Sequence, residues 1–272
     1  MKIIGALNKM ITRHDSPVAY SLELGGDLID MNNLVGKRIS LEFKGEIFCI
    51  GCGRKTRKSF SQGFCYPCFR SKAACDRCIM SPELCHFDAG TCREPEWAEQ
   101  HCMQPHVVYV ANASGLKVGI TRGTQVPTRW MDQGAIQAMP VLQVKTRRES
   151  GLIESCFKDF MKDRTDWRRM LKNAVEPVDL AQAWRTLCEQ QGLELESIRR
   201  NSGAKSAEWV EQGVYNFDYP VIEYPQKVTA LNLDKNPSVG GVLKGIKGQY
   251  LILDCGVLNV RKFGGYQVAL AA

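Results

Sequence analysis

The sequence predicts an α+β protein: a small mixed sheet with helices, preceded by a cysteine-rich zinc module and flanked by small β units of SH3 or OB type. Three observations carry this. Nine of the twelve cysteines fall between Cys49 and Cys102, mostly in paired spacings. β-branched and aromatic residues cluster over 107–121 and are followed by helical apolar stripes. Both chain ends carry alternating apolar and polar segments broken by glycine, asparagine and proline.

Composition sets the bounds. With 272 residues, 44% hydrophobic and 24% charged, the chain has the make-up of a soluble globular protein of about two to four small domains. No run approaches the ~18 apolar residues that span a bilayer, and the apolar stretch of MKIIGALNKM is too short for a signal peptide. A cytoplasmic protein without membrane partners is therefore expected. The cysteine spacings agree, because CxxC pairs favour metal ligation in a reducing compartment over disulfides. Cys156, Cys188 and Cys255 stand alone and read as small buried hydrophobes.

Residues 1–46 form the first expected unit, in which AYSLELGG and GKRISLEFKG read as strands. Residues 47–106 form the cysteine-rich module. Its first part has CxxC, twelve intervening residues and CxxC, so Cys49, Cys52, Cys65 and Cys68 can each aim a thiolate at one tetrahedral zinc across a short hairpin. Gly51 and Gly53 help the first knuckle turn and leave amides free to hydrogen-bond sulfur.

Basic residues Arg54, Lys55, Arg57, Lys58, Arg70 and Lys72 surround this ribbon, no acidic residue lies between Glu46 and Asp76, and Phe60, Phe64, Tyr66 and Phe69 are interleaved. Charge with aromatics suits phosphate contact plus base stacking, so DNA or RNA is the expected partner. The structural alternative is a solvated turn with its rings packed over a tiny core. Further on, Cys75 and Cys78 form a second pair, completed in the reading adopted here by Cys92 and Cys102, with Cys85, His86 and His106 as alternatives. Four thiolates also satisfy an iron–sulfur cluster, which is the rival cofactor.

Residues 107–172 come next. Strands are expected at 107–111 and 116–121 about an Asn112–Gly115 turn, then a helix opening after Pro127 with Thr128 and Arg129 in its first turn. AMPVLQVKT reads as a third strand, and Leu152, Ile153, Cys156, Phe157, Phe160 and Met161 as the stripe of a second helix beside Glu154. Residues 173–212 read as a helical connector, and 213–272 as a five- or six-stranded barrel-like unit that could close with the N-terminal strands.

Within 107–172, Tyr109, Gly119, Arg129 and Glu154 together resemble the pattern of a GIY-YIG nuclease-type domain in divergent form. Val107 stands where that family has its first glycine, and Lys117 where it has its second tyrosine. The larger stretch from CIGC to DWRRML resembles a bacterial family of uncharacterised proteins joining a cysteine-rich module to such a domain. The resemblance implies phosphodiester hydrolysis. Glu154 would hold Mg²⁺ or Mn²⁺, Arg129 would steady developing phosphate charge, Tyr109 would orient water, and Lys117 would meet phosphate as a point charge. Thr121 and Arg122 would be secondary phosphate contacts on a face with no carboxylate between Gln100 and Met131.

Each residue also has a structural alternative: Tyr109 in the core, Arg129 as a surface cation, Glu154 paired with Lys158. Three functions follow: a metal-dependent nuclease, a non-catalytic nucleic-acid-binding protein, and a zinc-organised interaction protein.

Overall fold

The computed structural model describes residues 2–157, 160–161, 165–211 and 213–272. The chain is α+β, with antiparallel sheets and short helices. It begins with β1 (Lys2–Ala6), β2 (Ile11–Arg13), β3 (Ala19–Leu24) and β4 (Asp27–Asp30), of which the last three form a small sheet. β5 (Arg38–Phe48) follows and enters the large sheet, with β6 (Lys55–Thr56) on its end. The cysteine-rich stretch has little regular structure beyond α1 (Tyr66–Ser71), α2 (Pro95–His101) and 3-10 turns at Ala73–Cys75, Arg77–Ile79 and Pro82–Leu84.

Next come β7 (His106–Asn112), β8 (Leu116–Arg122), α3 (Thr128–Asp132), β9 (Gln137–Val144) and α4 (Arg147–Phe157). α5 (Trp167–Leu171), α6 (Leu180–Gln191) and α7 (Leu195–Ser202) follow, then β10 (Glu208–Trp209) and β11 (Tyr215–Asn216). The chain closes with β12 (Ser238–Lys247), β13 (Tyr250–Leu253), β14 (Gly256–Asn259) and β15 (Tyr266–Ala271).

The two chain ends share one sheet, in the order β1-β15-β5-β12-β13-β14. β1 lies antiparallel to β15 from Lys2↔Ala271 to Ala6↔Gln267, and β5 pairs with both β12 and β15. β5 runs on to Phe48, so its end carries the first cysteine knuckle directly into the sheet.

The second sheet has the order β10-β9-β7-β8, with β7 between both neighbours. Every residue of β7 is buried, because both faces are covered. Val107, Tyr109 and Ala111 join the core shared with the large sheet, while Val108 and Val110 join a second core with Ile153, Phe157, Leu180 and Ile198. This is the period-2 alternation of a strand sandwiched between two layers. Pro140 lies opposite Tyr109 where the β7·β9 register shifts, the kind of irregularity that absorbs a residue with no N–H to donate.

The helices end by local chemistry. The Asp166 carboxylate accepts from the backbone N–H of Arg168 and Arg169 at the start of α5, and Asp179 accepts from Gln182 at the start of α6. Gly192, at φ +60°, terminates α6 in the left-handed conformation that glycine adopts without a Cβ penalty. Of the apolar stripe expected through Met161, Leu152 to Phe157 lie on α4, whereas Phe160 and Met161 are not helical, although Met161 still packs against the second core. Lys158, the proposed partner of Glu154, lies outside the described residues.

Among the described residues no helix is long and apolar enough to cross a membrane. None of the twelve cysteines is joined in a disulfide. Cys255 departs from the buried-hydrophobe expectation: it is exposed on the turn after β13, its thiol 3.4 Å from the Gly240 carbonyl.

Candidate functional site: a tyrosine–lysine–arginine cluster and a four-cysteine group

The four ribbon cysteines meet. Their sulfurs lie within 4.8 Å of one another, and Cys52 and Cys65 are 3.8 Å apart, close to the ~3.8 Å edge of a zinc tetrahedron with ~2.3 Å Zn–S bonds. The Cys49 sulfur accepts from the N–H of Cys65 at 3.2 Å and of Gly51 at 3.4 Å. Burial opposes ionisation of Cys49, but these amides outweigh it and lower its pKa, while burial and donation to neighbouring thiols raise that of Cys68. One sulfur served by backbone donors beside a thiol, that of Cys68, which resists ionising is the arrangement a dication resolves. A Cβ on Gly51 would sit 2.9 Å from the Phe64 ring, so the first knuckle needs glycine there.

The second sulfur set does not gather in the same way. Of Cys75, Cys78, Cys92 and Cys102, only Cys78 belongs to a compact group among the described residues, and its companions are Asp76 and His86. His106 is fully buried in β7, its Nδ1 2.7 Å from the Gln104 carbonyl, away from that group.

On the ribbon surface Arg54, Arg57 and Lys58 are exposed. Lys55 is held by Glu46 at 2.6 Å and Lys72 by Glu94 at 2.7 Å, so two of the six cations are already paired. Phe60 lies 5.7 Å from Phe69 in a stacked pair and 5.4 Å from Tyr66, which is 55% exposed. Phe64 instead packs on the cysteine core.

The sheet brings the second group together. β7 and β8 pair Tyr109 with Gly119, and a Cβ on Gly119 would lie 2.6 Å from the tyrosine hydroxyl. The Tyr109 ring is 1% exposed, sits edge-on to Trp130 at 5.6 Å, and donates its O–H to Gln133 Oε1 at 2.9 Å. With no room to swing away, it makes Gly119→Ala an overpacking change. The variant should lose about 1–3 kcal/mol, read as a lower melting temperature; equal melting of variant and parent would refute this packing.

Lys117 Nζ donates to the same Gln133 oxygen at 2.8 Å and to Thr165 Oγ1 at 2.7 Å. It is 3% exposed, so as placed it braces the site from beneath and does not present its charge to a ligand. Thr121 is likewise buried, and Arg122 half-buried. Half-buried Arg129 lies beside the Tyr109 hydroxyl. Burial raises the Tyr109 pKa, Arg129 works against that rise, and Glu154 adds to it, which puts Glu154 within electrostatic reach.

Four participants escaped the sequence reading. Gln133 binds both Tyr109 and Lys117, and its position one turn after Arg129 was the available signal. Thr165 arrives from a distant stretch. Arg147, whose pKa burial lowers, feels Cys102, Arg129, Glu154 and Cys78, so it stands between the cysteine-rich stretch and the cluster. Arg261, in the short helical turn Val260–Phe263 of the large sheet, is close enough to Arg129 for the two charges to oppose. Neither Arg129 nor Arg261 has a carboxylate within 4 Å among the described residues. A cleft of about 260 Å³ lined by Asp88, Thr146, Glu149 and Lys205 includes none of these side chains.

Residues 36–268 match the family described as protein of unknown function, DUF2797. The chain belongs to that family. The match covers the four clustered cysteines and the strands from β5 to β14 of this DUF2797 member, while β1 to β4 precede it. No curated protein matches, and no solved structure matches.

His106 gives this DUF2797 chain a pH dependence. Burial is the main cause that pushes the imidazole down to about 4. Above the ordinary value near 6.5 both folded and unfolded forms are neutral and nothing is lost. As pH falls from ~6.5 towards 4 the unfolded chain takes a proton that the folded one refuses, so stability drops by about 3 kcal/mol in all. Urea unfolding at pH 7 and pH 5 should show about 2 kcal/mol of this loss in the parent and a shallower slope in His106→Gln; parallel slopes would refute it.

Proposed function

We propose that the chain is a nucleic-acid-processing protein: a zinc-ribbon module engages DNA or RNA, and a divergent GIY-YIG-type site acts on a phosphodiester. The observation that carries this reading is the convergence of Tyr109, Lys117 and Arg129 around Gln133, with Glu154 in electrostatic reach. Among the described residues no carboxylate forms a salt bridge with Arg129 or Arg261, so the two supply positive charge that suits a polyanion, although Asp132 acts on Arg261 at longer range. When bound, Mg²⁺ or Mn²⁺ would serve as Lewis acid, and Glu154 is the residue that would hold it. Tyr109 and Gln133 orient the polar floor, and Arg129 steadies charge above it. The sheet built from both chain ends is taken as an SH3- or OB-like platform, and the protein as cytoplasmic because its cysteines are paired in metal-ligand spacings and none is in a disulfide.

The second reading is nucleic-acid binding without catalysis. The burial of Tyr109 and Lys117 favours it, since neither reaches solvent as placed.

Binding itself tests the shared part. Affinity for labelled DNA or RNA should fall steeply with salt, and Arg57→Glu with Lys58→Glu should weaken it at every sequence and flatten the salt slope by roughly 0.7–0.9 per lost contact. Lys55→Glu should do less, because Glu46 already holds that lysine. Binding that is absent at low salt, or indifferent to Arg57 and Lys58, removes the polyanion reading. Cleavage separates the two functions and is taken up in the Discussion.

A further inference from the structure

We propose a second, mixed-ligand zinc centre formed by Asp76, Cys78 and His86, distinct from the ribbon and clamping the cysteine-rich stretch onto α4. One oxygen of Asp76, the sulfur of Cys78 and one ring nitrogen of His86 all lie within 4.8 Å of one another. A tetrahedral zinc with bonds of ~2.0–2.3 Å puts its ligand atoms roughly 3.3–3.8 Å apart, so closing on an ion needs a contraction of about 1 Å. Sequence spacing alone pointed to Cys75 as the partner of Cys78. The chain path sends Cys75 elsewhere, towards Ser61 and Cys49 on the ribbon side.

The hydrogen bonds around His86 suit a ligand. The Thr91 oxygen lies 2.8 Å from His86 Nδ1 and 3.4 Å from the His86 carbonyl, so in the Nδ1–H tautomer it accepts from the ring and donates to that carbonyl. In a neutral ring that leaves the lone pair on Nε2, which lies 3.4 Å from Asp76 Oδ2. A lone pair facing a carboxylate is repulsive unless a cation lies between them, and fixing one ring nitrogen so that the other can bind is how outer-shell groups orient a metal-bound histidine. Arg93 Nε, 2.8 Å from the same Asp76 oxygen, would hold the carboxylate as an outer-shell partner.

Further thiols surround Cys78. Burial raises its pKa, and Asp76, Cys85, Cys102 and Cys92 raise it further, so three more sulfurs stand in its neighbourhood to offer a fourth ligand.

The location gives the centre a task. Arg147 on α4 donates to the Ile79 carbonyl at 2.8 Å, and a Cβ on Gly151 would lie 2.5 Å from Pro82. The turns that carry Cys78 and lead towards His86 are thus seated on the helix that bears Glu154. A metal there would fix the helix from outside.

The competing account is that Nε2–H of His86 donates to Asp76 in a plain hydrogen bond or salt bridge with no metal between them. Zinc content of the full-length protein, purified with a thiol-free reductant and measured by elemental analysis, separates the two. The proposal expects two ions per chain in the parent and one in each of Cys78→Ser and His86→Ala. Cys52→Ser, which takes a surface ligand from the ribbon, should also leave one. His86→Cys should restore two, and with Co²⁺ in place of zinc its d–d bands should move to longer wavelength as sulfur replaces nitrogen. His86→Cys also keeps the test decisive if His86→Ala folds poorly. A parent with a single ion, or two ions retained by His86→Ala or Cys78→Ser, overturns the proposal. The count does not depend on nucleic-acid binding or cleavage.

Discussion

Cys65→Ser should cost the protein its ribbon zinc and unfold residues 49–72 while leaving the two sheets in place. The reason is the absence of any other core. The only buried side chains clustered in the ribbon are Cys49, Cys65 and Cys68, with Phe64 packed against them. Structural zinc contributes on the order of 10 kcal/mol to such small modules at neutral pH, far more than one phenylalanine. Serine removes a thiolate, and it also disturbs the Cys65 N–H that donates to Cys49.

The damage should stop where backbone pairing takes over. Phe48 donates its N–H to the Gly265 carbonyl at 2.7 Å, and β5 is paired with β15 from Ser40 to Ile47. Hydrogen exchange should therefore become fast from Cys49 to Ser71 and stay slow in β5 and β7. Chelation of the parent should reproduce the pattern. Retained zinc together with unchanged protection in Cys65→Ser would remove the metal from its structural role.

Much of this architecture could be read from residues alone, for physical reasons that differ by element. The β7–β8 hairpin was legible because β-branched residues flank a turn with glycine at its end, and Gly115 does adopt φ +123°. The meeting of Cys49, Cys52, Cys65 and Cys68 was legible because two CxxC pairs at that spacing have few other uses. The second cysteine set was harder. Spacing names potential ligands, but 3-10 turns without a repeating side-chain direction decide which of them meet, and Asp76 is an ordinary acid in the sequence. The buried setting of Lys117 was also hidden: a lysine in a strand reads as solvent-facing until Gln133 and Thr165 arrive to accept its protons. Arg261 is more than 130 positions from Arg129, and only the pairing of the chain ends brings the turn between β14 and β15 to the cluster.

Glu154→Gln should abolish divalent-metal-dependent cleavage of labelled DNA or RNA while leaving fold and binding intact. An amide is a far poorer ligand for Mg²⁺ than a carboxylate, and glutamine keeps the size of the half-buried side chain on α4. Arg129→Ala should slow cleavage by about 10²-fold or more, the scale seen when one preorganised charge-stabilising group is lost. Tyr109→Phe separates two roles for the phenol. If its hydroxyl positions water, the rate falls with stability nearly unchanged. If it only satisfies Gln133 in the core, stability falls by about 1 kcal/mol and the rate of the folded enzyme holds. Because the ring is almost fully buried and its O–H is already committed to Gln133, the second outcome is the one expected. That would leave water activation to the metal held by Glu154. Equal cleavage by Glu154→Gln and the parent would show the site misassigned. A parent inert with Mg²⁺ and Mn²⁺, yet still binding nucleic acid in a salt-dependent way, would make the cluster a structural remnant and binding the function.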